Sequence, residues 1–436
     1  MTDLDFSRFD PEIELSTQQV NFLDDYKKGL NLYLCGEAGS GKSTVINELV
    51  HLCEHQKKNV AICAPTGIAA VNVRGTTIHK LFGFPLGLLG TSTIDNLLDS
   101  DSREEVEELL LKLDVLIIDE ISMVRSDLFR AMDYYLRNLK KEGTAFGGVQ
   151  VIVVGDFSQI PPVVTRQEKK ILPHRYCFVT DTWGLCNFKI HHLTTNYRAR
   201  SDLAFTECLR GIKVGSIKSL KEVNSRCVRE VPDHLKDKVI HLCTINNTAR
   251  LLNNERLKKL SGKGTTFEVS ITGKVKQSDM SCEQELHLKL GARVMLIANL
   301  HKLGIYNGEV GTVTKIHPQS VTVQFDNGKL KEIARHTWNV YSYKRAGGDI
   351  KKETSGTFSQ IPLKLAYAIT IHKSQGKTLA PIKLELGTGC FEHGQFYVAV
   401  SRARSFDNIY MDDLAYPQEL IVDKAVLKFL EDNNIS

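Results

Sequence analysis

Eight consecutive residues constrain this chain more than any others: Gly36-Glu37-Ala38-Gly39-Ser40-Gly41-Lys42-Ser43. A short apolar run, Asn31-Leu-Tyr-Leu-Cys35, precedes them, and a helix-like stretch opens at Thr44. The pattern G-x-x-x-x-G-K-S between a strand and a helix is a phosphate loop. Its glycines let backbone N–H groups converge on phosphate, and the helix start adds the positive end of a dipole. Gly36, Gly39, Ser40, Gly41 and Thr44 form the expected cradle. Lys42 should reach the β- and γ-phosphates, and the Ser43 hydroxyl should ligate Mg²⁺. ATP and Mg²⁺ are therefore the expected ligands.

The surrounding pattern predicts the fold class, α/β. Residues 60–64, 115–118 and 149–154 are further apolar runs, each followed at once by Gly, Pro or acids. Such runs read as buried parallel strands joined by crossover helices. In these sheets, ligands bind beyond the carboxyl ends of the strands. Residues 239–243, 365–371 and 382–386 predict a second α/β unit without a phosphate loop. Between its parts, 286–343 reads as β-structure, with Asp326-Asn327-Gly328 as a hairpin turn. This predicts a small inserted β-barrel.

Asp119-Glu120 ends the run 115–118. Asp119 there can hold Mg²⁺, and Glu120 can activate the attacking water. A helix N-cap is the plain alternative, but the phosphate loop in the same sheet outweighs it. Gln159, in Gly155-Asp156-Phe157-Ser158-Gln159, can sense the γ-phosphate or orient that water. Ser16-x-x-Gln19 reads as a helix capping box.

Charge is less informative: 56 Lys and Arg against 51 Asp and Glu leave a net +5, too mild to show nucleic-acid binding. One stretch stands out, because 329–352 holds seven cations against two acids. Lys344, Arg345, Lys351 and Lys352 there are candidates for guiding DNA. The ten cysteines include no Cys-x-x-Cys pair, which argues against a zinc module and fits reduced thiols. The acidic start, Met1-Thr2-Asp3-Leu4-Asp5, and the lack of a long apolar run predict a chain inside the cell and off the membrane.

Seven segments in order narrow the class. They are Ala64-Pro65-Thr66-Gly67-Ile68-Ala69-Ala70, Gly75-Thr76-Thr77-Ile78-His79, Asp119-Glu120-Ile121-Ser122-Met123 and Gly155 to Val163. Leu193-Thr194-Thr195-Asn196-Tyr197-Arg198, Ile371 to Thr378 and Tyr397 to Arg404 complete the set. The series resembles superfamily 1B DNA helicases, specifically the Pif (petite integration frequency) family, with the RecD type more distant. The resemblance runs from about residue 15 to 410.

It implies two RecA-like domains that sandwich ATP, an inserted SH3-like β-barrel and a short wedge subdomain. The implied layout is 1–182 for the first domain, with a wedge insertion at about 66–100. The second domain is 183–260 plus 356–436, and the barrel is 261–355. By the same resemblance Arg198 and Arg402 are arginine fingers, Gly376 approaches phosphate through its backbone, and Gln19 contacts adenine. Thr66, Gly67, Thr76, Thr77 and His79, with His372, Ser374 and Gln375, line a single-stranded DNA track. Phe84 and Pro85 belong either to a strand-splitting wedge or to a satellite core cluster. The implied activity is ATP-dependent 5′-to-3′ unwinding at single-strand/duplex junctions, with G-quadruplex DNA a candidate substrate. The implied actor is a cytoplasmic monomer of bacterial or phage type. Two rivals remain: an RNA helicase, since phosphate contacts do not exclude a 2′-hydroxyl, and an ATP-gated single-strand binder without turnover.

Overall fold

The computed structural model describes residues 15–100, 103–165, 168–197, 202–346 and 349–435. Arg198 lies outside the described residues, as do the side chains of 341–353 with Lys344, Arg345, Lys351 and Lys352.

Six strands form the first sheet: β1 (Leu32–Gly36), β2 (Val60–Ala64), β3 (Thr76–Thr77), β4 (Val115–Ile118), β5 (Gln150–Val154) and β6 (Lys189–Leu193). All are parallel, in the order β3-β2-β4-β5-β1-β6. Strand alternation explains why the apolar runs are unbroken. Leu32 and Leu34 face one core, with Val45, Leu49, Ile117 and Ile152. Tyr33 and Cys35 face the other, with Ile118, Phe129 and Val153. Both faces are covered, so the central strands are apolar except at Gln150, whose buried amide donates to the Tyr26 and Leu30 carbonyls. The carboxyl ends of β1, β2, β4 and β5 then bring 36–43, 64–66, 119–120 and 155–159 to one edge.

A second parallel sheet runs in the order Ala368–Thr370, Ile240–Cys243, Ile382–Glu385, Ile409–Tyr410. Helix Leu203–Lys213 packs on its core through Phe205, Cys208, Leu209 and Ile212. Between Cys243 and Ala368 the chain builds a five-stranded antiparallel sheet. Its order is Leu330–Ala334, Ser320–Phe325, Val310–Ile316, Arg293–Leu296, Leu363–Leu365. The Asp326-Asn327-Gly328 turn closes with Phe325 N–H donating to the Lys329 carbonyl at 2.8 Å, and Gly328 takes a φ of +85°. A long hairpin, His336–Ala346 with Asp349–Gln360, lies back against the first sheet's helices. There Lys80 Nζ donates to Ser355 Oγ at 2.8 Å.

Phe84 belongs to the core cluster rather than to a DNA-facing wedge. Its ring is 5% exposed and stacks on Phe82 at 5.1 Å, with Tyr135 edge-on at 5.7 Å. The core reading wins because these rings bury more apolar surface together than a free loop could. Pro85 and Leu86 stay outside, Leu86 at 85% exposure. Phe84 therefore anchors the loop, and only its tip is presented to solvent. Among the described residues, no helix is long and apolar enough to cross a membrane.

Candidate nucleotide site and nucleic-acid track

The phosphate loop has the backbone its glycines were expected to give. Gly41 takes a φ of +86°, and a Cβ there would meet Gln19 Nε2 at 2.8 Å. At Gly36 a Cβ would come within 2.7 Å of the Leu193 carbonyl oxygen. Lys42 Nζ donates to the Gly36 and Glu37 carbonyls at 2.8 and 3.0 Å. Burial holds its pKa below the usual lysine range, against the pull of Asp156, Glu120 and Asp119. Ser40 Oγ is buried with no hydrogen-bond partner among the described residues. An orphaned buried donor in the loop that holds the Lys42 ammonium fits an anionic oxygen, so these residues fit a triphosphate.

The capping box forms as expected: Ser16 Oγ accepts from Gln19 N–H, and Gln19 Oε1 accepts from Ser16 N–H at 2.8 Å. With the oxygen so occupied, the Gln19 amide nitrogen is the end turned to the loop. Tyr197 lies on the same side of Gly41, its backbone N–H donating to the Gly39 carbonyl at 3.0 Å.

Asp119 and Glu120 sit together at the end of β4. Burial, then the charge of Glu120, raises the Asp119 pKa to about 7. Burial also raises that of Glu120, against Lys42 and Gln375. Glu120 takes a φ of +51°, an unusual conformation for a non-glycine residue and one that clusters at functional sites. Its Oε2 accepts from Gln375 Nε2 at 3.1 Å. For Asp156, burial alone would raise the pKa, but Lys213, Lys42 and the Ser158 hydrogen bonds outweigh it and keep the carboxylate ionised. A cleft of about 950 Å³ opens beside these groups. Ser43, Asp119 and Glu120 line one wall, and Gly376 and Lys377 the other.

Three residues assigned to the DNA track sit elsewhere. Gln375 reaches the Glu120 carboxylate, because its segment crosses from the second sheet to the first. Ser374 is fully buried, and its hydroxyl donates to the Ile371 carbonyl at 2.7 Å, which removes it from any surface in this arrangement. Thr76 is also buried. Thr66 and Thr77 cap short helices, their Oγ1 accepting from Ala69 and Lys80 N–H. Each cap uses a lone pair, and the O–H remains a separate donor. Gly67 follows Thr66 at that helix start, and His79 is half-buried with a lowered pKa, mainly from burial. His372 lies nearly parallel to exposed Phe391, ring centres 6.3 Å apart.

Gln159 is buried at the end of β5, beside Gly394. Arg402 is fully buried: Nε donates to the Val398 carbonyl at 2.8 Å, and Nη1 to those of Ser374 and Lys377 at 3.1 Å. Its charge is felt at Glu120.

Sequence reasoning passed over Glu37, Asn196, Arg210 and Lys213. Glu37 occupies a variable position of the loop, and Arg210 and Lys213 read as ordinary helix cations. Only the fold brings them together. Tyr197 was legible only as a member of a longer segment, and Phe391 was not read at all.

The comparisons agree with this geometry. A model described as PIF1-like helicase matches residues 14–222, and one for the 2B domain of DNA helicase Pif1 matches 274–316. Human ATP-dependent DNA helicase PIF1 is 32% identical over 435 residues, covering 95% of this chain. The chain spans only 63% of that relative's length. Unliganded Pif1 from Bacteroides sp. superposes with a TM-score of 0.87 at 34% identity, covering 97% of this chain and 98% of that one. Bacteroides Pif1 bound to single-stranded DNA gives 0.68 at 34% identity, covering 97% of each chain. A match of this depth from end to end of a solved relative, together with the family model over residues 14–222, means that the chain belongs to the PIF1-like helicase family.

Proposed function

We propose that this chain is an ATP-driven DNA helicase that moves 5′ to 3′ on single-stranded DNA and opens duplex or structured DNA at junctions. The observation that carries the reading is the Gln375–Glu120 hydrogen bond at 3.1 Å. Gln375 ends the helix Ile371–Ser374 that also bears His372. A nucleic-acid contact at His372 is thus three residues from the amide that donates to the carboxylate that would activate water. Displacement of that segment by a strand would alter the Glu120 hydrogen bond, which gives DNA a route to turnover.

In this reading Lys42, Ser40, Thr44 and the loop N–H groups bind the phosphates, with Gly376 facing them across the cleft. Gln19 and Tyr197 flank the adenine. Ser43 and Asp119 would hold Mg²⁺, which when bound offsets phosphate charge. Glu120 accepts the water proton, with Gln159 at its side. Arg402 and Arg198 supply cations from the second half of the molecule. Thr66, Gly67, Thr77, His79 and His372 lie along the track, and the tip Pro85–Leu86 is the wedge. The two parallel sheets are then the RecA-like domains; because β6 (Lys189–Leu193) pairs with β1, the first runs past the expected boundary at 182 to about 193, and the second takes the chain from there to about 260 and resumes after the insertion. The antiparallel insertion, from about 261, is the SH3-like barrel, and since Leu363–Leu365 pairs with Arg293–Leu296 it ends near 365 rather than at the expected 355. Pif1 of Bacteroides binding single-stranded DNA supports the substrate. Family resemblance supports the 5′-to-3′ polarity, action as a cytoplasmic monomer, and G-quadruplex DNA among the substrates.

ATP turnover with and without homopolymers tests this. Single-stranded DNA should raise kcat by about tenfold or more, the scale of a repositioned general base. Turnover indifferent to DNA, or raised by RNA alone, would overturn it.

A further inference from the structure

We propose that Arg210 is a positioning residue that neutralises Glu37 inside the phosphate loop and thereby sets the affinity of the loop for ATP. The inference rests on the reading of this site as the ATP site. Glu37 follows Gly36 directly, and its side chain is almost wholly buried. A carboxylate in a cradle that must attract a triphosphate is a like-charge conflict, and burial removes the water that would screen it.

The structure shows how the conflict is met. Glu37 Oε1 accepts from Arg210 Nε at 3.2 Å, and Oε2 accepts from Asn196 Nδ2 at 3.2 Å. The backbone of Glu37 serves a different end, its carbonyl accepting from Lys42 Nζ at 3.0 Å and from Ser40 N–H at 3.2 Å. An unneutralised carboxylate would therefore act on the very residue whose carbonyl holds the ammonium meant for phosphate.

The countercharge has a second property. Arg210 is carried by helix Leu203–Lys213, whose apolar face is buried in the core of the second sheet. Glu37 belongs to the first sheet's loop. Neutralisation consequently exists only while the two halves are in contact, so affinity for ATP is tied to their approach. One turn further along the same helix, Lys213 is buried with its charge directed at Asp156. Two cations on one helix thus stand beside two acids of the first half. Arg suits position 210 because its guanidinium is charged at every working pH and less strongly hydrated than an ammonium.

A strut and a neutraliser make different forecasts, which a charge cycle separates. Steady-state turnover with single-stranded DNA is measured across ATP concentrations for the native chain, Arg210→Ala, Glu37→Gln and the double variant. Arg210→Ala should raise KM for ATP roughly tenfold, the size expected for one partly screened charge a few ångströms away. Glu37→Gln should lower KM several-fold, because Arg210 then adds net positive charge. The double variant should return to within about twofold of native KM, and Arg210→Lys should recover most of the loss. In all four, kcat should move by less than about threefold, since the effect is on ground-state binding. Arg210→Ala within about twofold of native KM would overturn the inference, as would a double variant as impaired as Arg210→Ala. A native chain that turns over no ATP would overturn the reading of the site and this inference with it. Native turnover with an unmoved KM would overturn this inference alone.

Discussion

Glu120→Gln should lower DNA-stimulated ATP turnover by about 10³-fold, within the range contributed by a general base, while leaving nucleotide affinity near native. The carboxyl is buried, and burial raises its pKa. That moves it toward the proton affinity at which a base works best near neutral pH. Gln has the same shape and still offers an oxygen to Gln375 Nε2, so the bridge to the second half should survive. It also removes one of two adjacent buried acids, so the fold should lose nothing. A fluorescent ATP analogue reads affinity, and single-turnover hydrolysis reads the chemical step. Turnover within tenfold of native would mean that Glu120 is not the base. Lys42→Ala is the natural contrast, because the ammonium between Gly36 and Glu37 is a binding group and its loss should show first as lost affinity.

Arg402→Ala should show two effects at once. An arginine at the transferring phosphate is worth about 10³–10⁵ in rate, so kcat should fall by at least about 10³ with a much smaller change in nucleotide affinity. The side chain is also structural here, since its guanidinium donates to the carbonyls of Ser374, Lys377 and Val398. Each buried carbonyl left without a donor costs about 1–3 kcal/mol, so the midpoint of thermal unfolding should drop by several degrees. Arg402→Lys keeps the charge but lacks the planar fork. It should recover less than a tenth of the lost rate, since one ammonium cannot serve three carbonyls and a phosphate. A variant as stable as native that loses only affinity would show a ground-state contact instead.

The parts of this site legible in the sequence are those where local chemistry dictates the residue. Gly36 and Gly41 are needed because a Cβ would strike Leu193 O or Gln19 Nε2. The unbroken apolar runs of β1 and β4 follow from a sheet covered on both faces. The capping box at Ser16 was readable for the same reason, being complete within four residues. Phe84, Ser374 and Gln375 were misplaced because their surroundings are set at long range. Tyr135 decides the fate of Phe84 from 51 positions away, and Glu120 lies 255 positions from Gln375. Motif order can say that a segment belongs to a track, but not which of its side chains turns inward. Arg210 and Glu37, 173 positions apart, are the clearest instance. Neither carries a local signal, and only the packing of Phe205 and Leu209 into the second core aims the guanidinium at the loop.

Unwinding of two otherwise identical duplexes, one with a 5′ and one with a 3′ single-stranded tail, tests the central claim most directly. ATP-dependent strand separation of the 5′-tailed duplex is expected, with loss of that activity in Glu120→Gln and little opening of the 3′-tailed duplex. Opening of the 3′-tailed duplex alone would contradict the proposed direction of movement. Failure to open either, in a chain that hydrolyses ATP on single-stranded DNA, would contradict the coupling of hydrolysis to unwinding.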